Sequence, residues 1–255
     1  MTRTTPARTS RSRGVSCDTM EASDRLARIP RSNLATEQIV QIELDHFFVC
    51  VSRGAPEAES MLQCSLREGL PNDHPGQGTA CRRFDFANAM IELFWVDDPV
   101  EAQGENTRRT QLWERWSGRD HGSCPYGICL RPTDAGQDEI PFPSWTYRPS
   151  YQPDPLVMHI GEAGIAEPMW VYMGFMRRAY REKHFVEHPM GVREITGLTL
   201  TTPAPLRSAA SQIVVKSGLI STRAGNRYLL EIEFDGGCNQ QVRDLRPVLP
   251  LVFHY

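Results

Sequence analysis

Two short runs constrain this 255-residue chain more than anything else in it. Gln41–Val51 and Ala89–Val96 are rich in β-branched and aromatic residues and have the length of strands. Each is interrupted by a side chain able to bind a metal, His46 in the first and Glu92 in the second. Side chains alternate along a strand, so Leu44, His46 and Phe48 share one face, as do Met90, Glu92 and Phe94. If those faces meet, an imidazole and a carboxylate sit together among apolar groups. Burying them costs about 2–7 kcal/mol each unless they find partners or a metal, so the pair marks a site.

Around these runs the chain reads as an ordinary globular one. Hydrophobic residues make up 40% and charged residues 23%, with a formal net charge of −3. That balance gives no electrostatic footprint for nucleic acid, and no run of apolar residues is long enough to predict a membrane partner. The seven cysteines are scattered without a CxxC pair, which reads as reduced thiols in a cytoplasmic protein. Residues 1–38 form an Arg/Ser/Thr-rich basic tail, read either as a solvated, disordered segment or as an organelle transit peptide.

After the His46 strand, Gly54–Leu66 reads as a helix with Pro56 in its first turn. Glu68–Thr79 is a Gly- and Pro-rich loop whose His74 and Gln77 either line a pocket mouth or only stabilise turns. Cys81–Phe86 then forms a hairpin with the Glu92 strand, turning through Ala87–Ala89. Asn106–Ser117 reads as an amphipathic helix anchored by Trp113 and Trp116. Short strands follow at Tyr126–Arg131 and Leu156–Ile160, the second carrying His159, while Met169–Phe175 is either a strand or a packed loop. Arg177–Lys183 reads as a solvated helix or linker, and His184 and His188 fall in the same linker. A strand, a helix and further strands occupy the last part, from Glu194 on.

This order of elements, with His46 on a first strand and Glu92 on a fourth, resembles the vicinal oxygen chelate superfamily and, within it, the glyoxalase-like domain proteins. The likeness is carried by Leu44-Asp-His46, His74-Pro-Gly-Gln-Gly-Thr79, Ile91-Glu-Leu93, Gly127-Ile-Cys-Leu130 and His188-Pro-Met-Gly191, and covers roughly residues 41–255. It implies an α+β fold of paired βαβββ modules, forming a curved, partly open mixed sheet around a cavity with helices outside. The modules would be about 41–98 and 125–162 of a glyoxalase-like domain 39–165. A linker 166–191 and an additional related βαββ unit 192–255 would follow. Such folds often pair modules between chains, so a homodimer is among the implied arrangements.

The resemblance also implies metal ligands on first and fourth strands. By position these are His46 and Glu92, with His159 as the third. In Tyr126–Arg131 no histidine stands at the ligand position and only Cys129 could substitute. Two imidazoles and a carboxylate suit Fe, Mn, Ni, Co or Zn and leave positions open for substrate oxygens. Glu92 would also shuttle a proton. His74, Gln77, Arg82, Phe94, Trp145 and Tyr147 are the expected contacts to a small-molecule ligand, with Arg82 and Arg83 suited to an anionic group. The function implied is a metal-dependent lyase, isomerase or dioxygenase acting on a small oxygenated substrate. The alternative is a metal-free protein that binds a drug- or toxin-like molecule without catalysis; a third is an interaction module that uses the basic tail.

Overall fold

The first βαβββ sequence of elements folds around Gln41–Val51 and Ala89–Val96. A computed structural model describes residues 41–133 and 139–255; the expected basic tail, 1–38, lies outside the described residues. Strand β1 (Ile42–Cys50) is followed by helix α1 (Ala58–Gln63) and strands β2 (Asn72–His74), β3 (Thr79–Asp85) and β4 (Met90–Val96). β4 lies parallel to β1, with His46 opposite Met90 and Phe48 opposite Glu92. Parallel neighbours need a long crossover, and α1 with the β2–β3 excursion supplies it. The short helices α2 (Pro99–Ala102) and α3 (Leu112–Ser117) then lead to β5 (Tyr126–Pro132), antiparallel to β1. Asp98 caps α2 by accepting from the backbone N–H of Val100 and Glu101.

β6 (Ser144–Tyr147), β7 (Met158–Gly161) and β8 (Met169–Tyr172) complete an eight-stranded mixed sheet in the order β2-β3-β4-β1-β5-β8-β7-β6. The order has a mirror pattern. β8 runs parallel to β5 as β4 does to β1, and β6 and β7 stand outside it as β2 and β3 stand outside β4. The sheet is open, with β2 and β6 as its edges. The second half therefore reaches Tyr172, not Glu162, and the expected linker 166–191 is corrected. It contains the buried strand β8, paired between β5 and β7, and helix α4 (Arg178–His184).

The sheet's two faces are chemically different. Phe47, Val49, Ile91, Leu93, Ile128, Leu130, Trp170 and Tyr172 pack on one side into the main core, together with Ala58 and Met61 of α1. Phe48, Phe94, Cys129, Met169 and Val171 occupy the other side. Strand period two separates these sets. Gly127 lies opposite Phe48. A Cβ there would fall inside the Phe48 ring, which needs the space to stack on Phe94 at 4.7 Å.

The C-terminal elements are β9 (Ile195–Thr202), α5 (Ala209–Lys216), β10 (Ser221–Ala224), β11 (Leu229–Phe234), β12 (Val242–Asp244) and β13 (Leu251–His254). They form a second mixed sheet, β10-β9-β11-β13-β12, within the same unit, Ile39–Tyr255. The strand–helix–strand order expected for 192–255 is present, but its pairing differs: β9 lies beside β10 in parallel, whereas β1 pairs with the fourth strand of its unit. Among the described residues no helix stands between β5 and β6. α5 covers that half instead. Ser211 accepts from the Trp170 indole N–H at 2.8 Å, and Ala210 sits against Gly161. Glu167, just before β8, holds the start of α5 by accepting from the Arg207 N–H and the Ser208 hydroxyl. The two sheets also meet where the Tyr126 hydroxyl donates to the Pro250 carbonyl at 2.7 Å. No helix among the described residues is long and apolar enough to cross a membrane.

Candidate functional site

The face of the large sheet away from α1 and α5 lines a cavity of about 660 Å³. Its walls come from different halves of the sheet. β1–β4 and the loops between them contribute most of the polar groups: His46, Asn72, His74, Gln77, Arg83 and Glu92. β5, β7, β8 and the segment after β8 contribute mainly Cys129, Met158, Met169, Val171, Met173 and Phe175. Arg177 and Arg181 reach in from the segment that includes α4.

β1 carries a register shift between Leu44 and His46. A bulge re-aims side chains locally, and here Asp45 and His46 bond to each other, Oδ1 to Nδ1 at 2.7 Å. Asp45 is fully buried and doubly clamped. The Arg181 Nη2 donates to its Oδ1 at 2.5 Å and the Arg131 Nη1 to its Oδ2 at 3.1 Å. Burial opposes ionisation of Asp45, but the His46 hydrogen bond and the His46 and Arg181 charges outweigh it, holding the carboxyl well below its ordinary range. For His46 burial disfavours the cation. Attraction to Cys129 and Glu92 and the bond to Asp45 outweigh this and push the imidazole well above its ordinary value. His46 thus sits half-buried between two carboxylates, Asp45 and Glu92.

Not all of the expected metal set converges. His46 Nε2 and Glu92 Oε2 are 4.0 Å apart, both in the cavity wall. His159 is a correction: it does not join them. It lies on β7 opposite Tyr172, whose ring belongs to the main core, while its neighbour Met158 faces the cavity. The fourth strand of the second half is β8, and the side chains it turns to the cavity are Met169 and Val171, followed by Met173 just beyond it. Cys129 stands directly across from His46, and burial raises its thiol pKa against the opposing pull of His46. One imidazole, a thiol and aliphatic groups around Glu92 do not fit the implied two-histidine, one-carboxylate face.

Four of the expected ligand contacts do line the cavity: His74, Gln77, Phe94 and Tyr147. The Tyr147 hydroxyl donates to Gln77 Oε1 at 3.0 Å, and Gln77 Nε2 donates to the Thr79 hydroxyl at 2.7 Å. Asn72 Nδ2 donates to His74 Nε2 at 2.8 Å, leaving Nδ1–H to donate to Thr79 Oγ1 at 3.0 Å. Burial lowers the His74 pKa and keeps this ring neutral.

Arg82 and Trp145 are corrections. Arg82 shares the parity of the buried Phe84 and turns to the helix side, where it pairs with Glu68 and donates to the Ala55 carbonyl. Its neighbour Arg83 has the cavity parity. Trp145 lies in a separate pocket of about 210 Å³, under the Arg109 guanidinium at 4.3 Å from the ring centre. His188 is structural: its Nδ1 accepts from the Arg67 N–H and its Nε2 donates to the Asp85 carbonyl.

Sequence reasoning missed Asp45, Cys81 and Arg181. Asp45 carried a weak signal, an acid next to His46 in an apolar run. Arg181 carried none, in a stretch rich in charge. Cys81 comes together with His74 and Glu92, the three donor atoms lying within 4.8 Å of one another.

No protein-family model matches the chain, and no curated protein does. Among solved structures it is similar to one described as a hypothetical protein from Staphylococcus aureus, with a TM-score of 0.43 and 10% identity. That match covers 83% of this chain and 98% of the other.

Proposed function

We propose that the chain is a glyoxalase-like small-molecule-binding protein of paired βαβββ modules, and that the cavity takes a ligand with an apolar body and an anionic head. The mirrored strand order supports the module reading, with β1–β4 as one module and β5–β8 as a second whose helix position, among the described residues, is covered by α5 instead. The observation that carries the ligand reading is the division of the cavity wall. Three arginines, Arg83, Arg177 and Arg181, and His46 line it against one carboxylate, Glu92. Methionines and aromatic rings cover much of the rest. Such a cavity suits a ligand of modest size held by area burial and oriented by few polar contacts. A carboxylate is the simplest head group that guanidinium donors recognise.

A second reading is a metal-dependent lyase, isomerase or dioxygenase, with the polar wall supplying the metal. The convergence of His74, Cys81 and Glu92 favours it.

The test of the first reading is a thermal-unfolding screen of aromatic and medium-chain carboxylates against their neutral amides. Carboxylates are expected to raise Tm and amides not. The rise should vanish in Val171→Trp, which fills the cavity, and weaken about tenfold or more in Kd in Arg83→Ala, while Arg82→Ala leaves it unchanged. Equal shifts for acids and amides, or shifts that survive Val171→Trp, would sink the proposal.

A further inference from the structure

The structure assigns a transition-metal site of the zinc class to His74, Cys81 and Glu92, in the polar wall of the cavity and apart from the first- and fourth-strand set. The three come from β2, β3 and β4, consecutive antiparallel strands. Cys81 lies opposite Asn72 on one side and Phe94 on the other, so His74 and Glu92 are its diagonal neighbours. All three side chains are buried, and one donor atom from each lies within 4.8 Å of the others. Around a tetrahedral ion with bonds of about 2.0–2.3 Å, donors sit about 3.3–3.8 Å apart. Closing the cluster therefore asks for side-chain rotation, with the sheet register unchanged.

The donor set has the required chemistry. A thiolate, an imidazole nitrogen and a carboxylate oxygen select zinc, cobalt or nickel over magnesium and calcium. His74 is neutral, and its Nε2 lone pair is already the accepting one, engaged by the Asn72 amide that the ion would displace. Its Nδ1–H is fixed by Thr79, the outer contact that orients a ligating histidine. Cys81 keeps its proton in the metal-free chain because burial and the adjacent Glu92 disfavour the thiolate. On binding, the S–Hγ bond breaks, sulfur keeps the electron pair and donates it to the ion, and the proton leaves to solvent. His74 and Glu92 line the cavity, whereas Cys81 is fully buried behind them. A fourth coordination position then opens toward the cavity, as in sites with three protein ligands.

Rival clusters are weaker. His159 faces away from His46 and Glu92, Cys129 beside His46 does not close a three-donor group with them among the described residues, and His46 Nδ1 is engaged by Asp45. The site needs only β2–β4 and stands apart from the carboxylate reading of the cavity.

The experiment is a titration of the chelator-stripped full chain with Co(II), followed by competition with Zn(II). Expected are one equivalent bound, a thiolate-to-cobalt charge-transfer band, its loss on Zn(II) addition, and a higher Tm with either ion. Cys81→Ser should remove the band. The near-isosteric Glu92→Gln should weaken binding at least tenfold with circular dichroism unchanged, which guards against a folding artefact. His159→Ala, on the opposite face of the sheet, should bind as wild type. Absence of the band in folded wild type, its survival in Cys81→Ser, or its loss in His159→Ala would each overturn the assignment. Val171→Trp is expected to abolish carboxylate binding and keep the cobalt band, so the two readings fail separately.

Discussion

At the scale of single residues the site is organised by a buried charge lattice. Asp45 holds His46 on one side and two arginines, Arg131 and Arg181, on the other. Removing one partner of such a group leaves buried charge uncompensated, at a cost of about 3–5 kcal/mol. Asp45→Asn is therefore expected to lose that much at neutral pH, measured by urea unfolding. The sign with pH follows from the depressed Asp45 value. Its stabilisation is fully present above the unfolded carboxyl pKa, about 3.9, and is lost as pH falls below it toward the folded value. Wild type and variant should begin to converge below about pH 4 and close the gap progressively as pH falls toward the folded value. The raised His46 value acts oppositely: its contribution is complete below about 6.5 and is lost as pH rises through the folded value. The alternation rule read His46, Glu92 and Phe94 correctly because their strands carry apolar residues of fixed parity. It could not choose between Arg82 and Arg83, two adjacent arginines, and only Phe84 settles which one shares the core face. A bulge breaks parity, and nothing in the composition around Asp45 announces one.

At the scale of elements, the cavity floor depends on a missing side chain. Gly127 on β5 admits the Phe48 ring, and Phe48 in turn stacks on Phe94 of β4. Gly127→Val would drive a branched side chain into that ring, and overpacking of this kind costs about 1–3 kcal/mol. We expect a lower Tm together with at least tenfold weaker carboxylate binding, since Phe94 lines the cavity; a variant with wild-type affinity would contradict this account of the floor. Elements of the first half were legible because each carries its own signal: Pro56 near a helix start, a turn at Asn88, apolar runs of strand length. The second half was misjudged because β7 and β8 are four residues each and differ little in pattern. Taking β7 for the closing strand placed His159 at a ligand position that β8 in fact fills with Val171. Asn88 turned out to do more than turn the hairpin, since its side chain bonds both the N–H and the C=O of Ile195 on β9.

At the scale of the whole molecule, the second half of the large sheet borrows its cover. α5 belongs to the C-terminal sheet, yet it packs on Trp170 and Gly161 and is anchored by Glu167. Glu167→Ala would remove four hydrogen bonds to a carboxylate, those from Arg207 and Ser208 N–H and from the Ser208 and Ser211 hydroxyls. Individual bonds to charged groups contribute about 1.5–3 kcal/mol. A loss of roughly that size is expected, in one cooperative unfolding transition seen alike by circular dichroism and tryptophan fluorescence. Two separate transitions would show that the sheets are stabilised independently. Sequence order disclosed a strand–helix–strand unit here and hid its role, because which sheet a helix covers is decided by contacts far apart in the chain. The Tyr126–Pro250 hydrogen bond spans 124 residues. Contacts of this range form late and slow folding, and during synthesis α5 and Pro250 emerge well after the cavity-lining strands. Until they arrive, the apolar back of β5–β8 stays uncovered. A ribosome-bound chain halted before β9 should thus hold every cavity-lining side chain and still be unable to bind, with its exposed surface a target for chaperones.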